Sequence, residues 1–205
     1  MKNYIDKSMS FAEYEDLIDH LLTQGKTTGP NQSAAMVGYG RLNRQRMNRL
    51  EETIALTEET KAAARELKRP MIWLVITEGW CGDAAQNIPV IEKIAAESRL
   101  IETRYILRDE NIELMDQFLT NGARSIPKVI ALDPGSFEVL WTWGPRPKPA
   151  QEMFYDLRSQ GVEKPAILEK VQRWYNDDHG RTLQAEFIEL IQSGQPTDLA
   201  DRVVA

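Results

Sequence analysis

Apolar side chains in this chain recur with two different rhythms, and the switch between them marks out the elements. Phe11, Tyr14, Leu17, Ile18, Leu21 and Leu22 return every three or four residues, the stripe of an amphipathic helix. Ser10 and Glu13 frame its start as a capping box, and Gly25 ends it. Residues 27–33 are rich in Thr, Gly, Pro and Asn and read as a loop. A second helix is predicted over 40–55. A third follows Thr57, rich in Ala, Glu, Lys and Leu, and must stop near Pro70, which lacks the N–H a helix interior needs.

Residues 71–77, MIWLVIT, change the rhythm. A continuous apolar, β-branched run suits a strand covered on both faces, as in a parallel sheet. A helix over 82–98, a strand over 102–107 and a helix over 110–119 ended by Asn121-Gly122 follow. A strand over 128–132, a turn at Asp133-Pro134-Gly135 and a strand over 137–143 come next. Pro145, Pro147 and Pro149 then interrupt the chain before a helix over 150–158. The succession βαβαββα implies an α/β fold with a mixed sheet flanked by helices on both faces.

Beyond Gly161 two more helical stripes appear. One is Ile167, Leu168, Val171, Trp174 and Tyr175; the other is Leu183, Phe187, Leu190 and Ile191. Residues 177–180 break them apart, and a polar tail from Ser193 is expected to be loose. Trp141 and Trp143 alternate on a strand, share a face, and read as packing residues. The 205 residues fit one globular domain with extensions. Its parts are an N-terminal helical extension (1–57), a core (58–160) and C-terminal helices packed on that core (161–205).

Composition narrows the function classes. A net charge of −6 and a pI near 5.1 argue against nucleic acid as a partner. No apolar run approaches the ~20 residues of a membrane span, so no membrane partner is expected. The first ten residues lack the apolar centre of an export signal, and one cysteine cannot form an intramolecular disulfide; a reducing cytoplasm is the expected setting. His20, His179 and a single cysteine match no zinc-ligand spacing, so no metal and no resident cofactor are expected. The oligomeric state is left open.

The candidate chemistry lies in EGWCGDAAQNIP, residues 78–89, which contains the one cysteine, Cys81. It falls between the apolar strand and a helix start. There the free N–H groups and the positive end of the helix dipole favour thiolate, lowering the pKa below the ordinary ~8.5. Gly82 lets the backbone turn closely. Asp83 places a negative charge beside the sulfur and acts in the opposite direction, and the sequence leaves the sum of the two open. The plain alternative is a buried small hydrophobe; the position between strand and helix favours an exposed, functional thiol. Arg41, Arg44, Arg46 and Arg49 form a basic cluster that reads as a solvated helix face paired with Glu51, Glu52, Glu58 and Glu59.

These residues carry a resemblance. A strand, then Trp80-Cys81-Gly82, then a helix is similar to the W-C-G-x-x element of the thioredoxin family. Pro89 lies eight residues after the cysteine, where that family has a proline within its helix. Residues 89–95, PVIEKIA, resemble the family's helix pattern, and residues 122–127, GARSIP, resemble the loop that ends in its cis-proline. Gly144 follows the hairpin as the family's glycine does. The whole chain, with Cys-Gly-Asp-Ala at the site, looks like short bacterial thioredoxin-like proteins with a single cysteine. The resemblance implies a thioredoxin-like fold and a cis bond at Ile126-Pro127. It also implies a site in which the Ile126 amide and carbonyl pair with an extended substrate and Trp80 forms an apolar wall. Two departures stand out. The second cysteine is replaced by Ala84, and the buried acid of the preceding strand by Val75.

Three readings follow. The first is a monothiol oxidoreductase in which Cys81 attacks a protein or small-molecule disulfide. Trp80, Gly82, Ile126 and Pro127 bind the substrate, and an external thiol, such as a low-molecular-weight thiol acting as co-substrate, resolves the adduct. The second is a non-catalytic, peptide-binding or chaperone-like module. The third is a transferase holding a small thiol through the arginine cluster.

Overall fold

A computed structural model describes residues 1–194. The expected loose tail therefore falls, from residue 195 on, outside the described residues. The MIWLVIT run forms β1 (Met71–Thr77), and all seven of its residues are buried. Their continuous apolar character follows from their place, with a strand on each side and helices against the sheet. β2 (Ile101–Leu107) runs parallel to β1, with Val75 opposite Tyr105. β3 (Lys128–Leu132) runs antiparallel on the other side of β1, and β4 (Val139–Trp143) antiparallel to β3. The order is β2-β1-β3-β4.

Among the described residues the helices are α1 (Lys2–Ile5), α2 (Phe11–Thr23), α3 (Ala34–Thr53), α4 (Glu58–Arg65), α5 (Gly82–Ala96), α6 (Ile112–Met115), α7 (Lys148–Ser159), α8 (Lys164–Asp178) and α9 (Arg181–Ser193). α2 opens with the capping box: the Ser10 hydroxyl accepts from the Glu13 N–H, and the Glu13 carboxylate accepts from the Ser10 N–H at 2.7 Å. The Ser33 and Thr57 hydroxyls cap α3 and α4 by accepting from the Met36 and Thr60 N–H groups.

Three elements differ from the sequence pattern. α1 is a single turn, too short to show periodicity. α3 starts at Ala34, six residues before its predicted start. Gly38 and Gly40 weaken the helical signal, but Gly40 lies so close to Thr27 that a Cβ would come within 2.8 Å of its hydroxyl. The helix predicted over 110–119 is one α-turn. It tightens into i→i+3 bonds, Gln117 N–H to Leu114 O and Phe118 N–H to Met115 O, before the Thr120–Ala123 bridge turns the chain back.

The core gathers around β1. Trp73 meets Trp141 edge-on at 5.4 Å and Phe187 of α9 at 5.3 Å, and Trp143 also packs on Phe187. Tyr14 of α2 stacks on Tyr105 of β2 at 5.2 Å. Gln184 of α9 accepts from the Thr57 N–H and donates to the Ala55 carbonyl, tying the C-terminal helix to the loop after α3. A smaller cluster of Leu157, Ile167, Val171 and Tyr175 joins α7 to α8. Along the outer edge of β2, Met9 exchanges two backbone hydrogen bonds with Tyr105, at 2.8 and 2.7 Å. No helix among the described residues is long and apolar enough to cross a membrane.

Candidate functional site

The turn from β1 to α5 carries Cys81 as the residue that caps the helix, its own N–H bonded to the Glu78 carbonyl. The side chain turns inward. Cys81 is 7 % exposed, and its Sγ–H donates to the Ile126 carbonyl at 3.3 Å. The Ile126–Pro127 peptide bond is cis. Both residues of that pair are buried.

Two layers flank the turn that carries the sulfur. On one side lies α3. The Asn43 amide donates to the Gly79 carbonyl, and a Cβ on Gly82 would sit 3.6 Å from an Arg46 guanidinium nitrogen. Thr28, from the loop before α3, accepts the Gly79 N–H at 2.9 Å. On the other side is an ion pair. Arg146, just past the hairpin, grips Asp83 with two nitrogens, at 2.9 and 2.6 Å, and both side chains are about nine-tenths buried. Tyr175 of α8 donates to the same carboxylate at 3.0 Å and accepts from Asn87 at 2.9 Å. The Arg146 guanidinium also lies over the Phe154 ring of α7.

The expectation of an exposed thiol is therefore corrected, and the balance the sequence left open falls against the thiolate. Burial pushes the Cys81 thiol up to about 12, and the Asp83 carboxylate adds to the rise; the Ala84 and Asp83 N–H groups and Arg146 act against it without prevailing. The helix start does favour thiolate, but desolvation outweighs it. The Ile126 carbonyl, expected to be open to a substrate strand, is already engaged by the sulfur. Ala84, 1 % exposed, fills the second-cysteine position with a methyl group. Val75, at the family's buried-acid position, is fully buried too. Three residues on, Glu78 is a buried carboxylate that accepts the Asp109 N–H, and burial raises its pKa.

Trp80 is half-buried beneath the Arg108 guanidinium, 4.8 Å from ring to cation. Gly29, at φ +77°, passes so close that a Cβ there would come within 2.6 Å of an Asp109 carboxylate oxygen and 3.2 Å of the Trp80 indole nitrogen. The arginine cluster does not converge on one ligand. Arg44 turns to Glu15 and Asp19 of α2 and to Glu51, rather than to Glu52, Glu58 or Glu59. Arg46 leans on Asn43, and Arg41 and Arg49 are exposed. His20 and His179 are exposed, and no group of three or more metal-ligating side chains occurs among the described residues. Asn43, Arg46, Arg146 and Tyr175 carry no local motif. For three of them the partners lie far along the chain, 36 residues away for Asn43, 63 for Arg146 and 92 for Tyr175.

A four-stranded mixed sheet, a cysteine at the first turn of the helix after its central strand, and a cis-proline against that sulfur define a thioredoxin-fold protein. A family model described as Thioredoxin matches residues 29–160, and the chain belongs to that family. Two crystal structures share the fold. An HIV epitope-scaffold is 21 % identical with a TM-score of 0.55. A protein of unknown function from Pseudomonas aeruginosa is 19 % identical with a TM-score of 0.53. Each comparison covers 90 % of this chain and 98 % of the other. No curated protein matches the sequence.

Proposed function

We propose that this member of the thioredoxin family is a non-catalytic binding module, in which Cys81 holds the site closed rather than turning over disulfides. One observation carries the reading: the Sγ is buried and bonded to Ile126 O, an environment that raises its pKa and disfavours the thiolate. The thiolate, not the thiol, is the nucleophile in disulfide exchange. Ala84 removes the internal resolving sulfur as well. The test is the rate of alkylation by iodoacetamide at mildly alkaline pH. The folded protein should react on the order of 10³-fold slower than free cysteine, because each unit of pKa costs a factor of about ten in thiolate. Reaction in denaturant should be complete and fast. A native rate close to that of free cysteine overturns the reading.

A second reading has its own observation, the position of Sγ 3.3 Å from Ile126 O beside the cis peptide. In a monothiol oxidoreductase, Cys81 thiolate attacks a disulfide, forms a mixed disulfide and expels one thiolate. An external thiolate then attacks that mixed disulfide and returns Cys81 as thiolate. This sequence needs the buried sulfur to leave Ile126 O and reach solvent. Rapid native alkylation, together with a glutathione adduct absent from Cys81→Ser, is its signature. A cytoplasmic setting fits both readings, since neither uses a structural disulfide.

A further inference from the structure

Lys128 is the first residue of β3 and is 6 % exposed. Lysine is seldom buried without a carboxylate to pair with. Here its ammonium donates to two neutral oxygens, Thr120 Oγ1 at 2.7 Å and the Gly144 carbonyl at 3.1 Å. An ammonium has three donors, so one is left over. Burial pulls its pKa down, and no neighbouring charge offsets that pull. Lys128 lines an open cleft of about 690 Å³ between β4, α7 and α9, together with Asn121, Gln151 and Tyr155. That volume lies in the range of small-molecule sites.

We propose that this cleft binds a small ligand through a carboxylate that pairs with the Lys128 ammonium. The proposal deepens the binding-module reading by naming a ligand class, and its evidence is independent of Cys81. A carboxylate supplies both the missing counter-charge and the third acceptor, in a charge-assisted hydrogen bond. The other walls carry charge of both signs, with Lys148 and Glu152 on the rim. Glu186 and Glu189 face the same cleft, and the Arg146 guanidinium is held by Asp83. Glu186 is itself occupied, accepting from the Trp143 indole and the Lys148 N–H. A small carboxylate that also carries a hydrogen-bond donor fits this mixture. A free acid and the C-terminus of a short peptide share that chemistry.

The test uses matched pairs: N-acetylglycine against N-acetylglycinamide, and triglycine against triglycinamide, each added to the full-length protein during thermal unfolding. The acid of at least one pair should raise the melting temperature by about 3–5 °C at roughly ten times its Kd, while its amide leaves it unmoved. A response confined to triglycine points to a peptide terminus, and one to N-acetylglycine points to a free acid. Lys128→Met should lose the response. Lys128→Gln keeps a donor for Thr120 and Gly144 without the charge, and serves if the methionine variant does not fold. Acids and amides acting alike, or a response that survives in the folded variant, overturns the proposal. Cys81 alkylation is indifferent to each of these outcomes, so this proposal and the preceding reading fail separately.

Discussion

Gly144 sits at φ +115°, and a Cβ there would come within 2.2 Å of the Pro127 carbonyl oxygen, an atom of the backbone that has nowhere to retreat. Gly144→Ala should cost about 4 kcal/mol or more, measured by urea unfolding, or prevent folding altogether. The residue stood out in the sequence because it follows a hairpin as the thioredoxin glycine does. Cys81 was equally visible, as the one sulfur at a strand-to-helix junction. Its state was not visible. The dipole at the helix start is a local property that a sequence window reveals. The desolvation that defeats it comes from burial, 7 % exposure with the sulfur turned onto Ile126 O, 45 residues along the chain, which only the long-range folding produces. The same limit hid Lys128, whose burial depends on Thr120 and Gly144 closing around it.

Between elements, the Asp83–Arg146 pair is the principal tie across the closed site. It links the first turn of α5 to the segment before α7, and Tyr175 joins α8 to the same carboxylate. Removing one partner leaves a buried charge alone. Asp83→Asn and Arg146→Met should each cost about 3–5 kcal/mol, and the double variant clearly less than their sum. Urea unfolding of all four proteins measures this coupling, and simple additivity would show that the two side chains do not act as a unit. Asp83→Asn should also speed Cys81 alkylation, since the Asp83 charge helps to raise the thiol pKa. Periodicity located the long helices and β1 well, because each buries one regular stripe or a continuous run. It missed the start of α3, where glycines chosen for close packing look like helix breakers, and overextended α6, where apolar residues sit in a tightened turn.

For the molecule as a whole, stability should depend on pH through carboxylates shifted in opposite directions. Glu15, packed between α2 and α3, is pushed up to about 7 by burial, with Arg44 pulling the other way and Glu51 and Asp19 adding to the rise. The folded state holds that proton more tightly than the unfolded chain. Its contribution is full below the ordinary value of 4.5 and is lost as pH rises to about 7. Asp133 behaves oppositely. The Ser136 N–H, Arg69 and the Gly135 N–H hold it near 2, so its contribution is present above 3.8 and is lost as pH falls toward 2. The melting temperature should peak in mildly acidic solution, and Glu15→Gln should flatten the fall on the alkaline side in a pH series of thermal melts. Sheet class and the βαβαββα succession were readable because strand and helix periods differ. The pairing order was not, because it depends on which edges meet in space. One of those edges has a consequence of its own. With Met9 laid against it, Tyr105 has neither its backbone donor nor its acceptor left for a stranger's strand, so the β2 rim is interrupted at that residue as a template for copies zipping together.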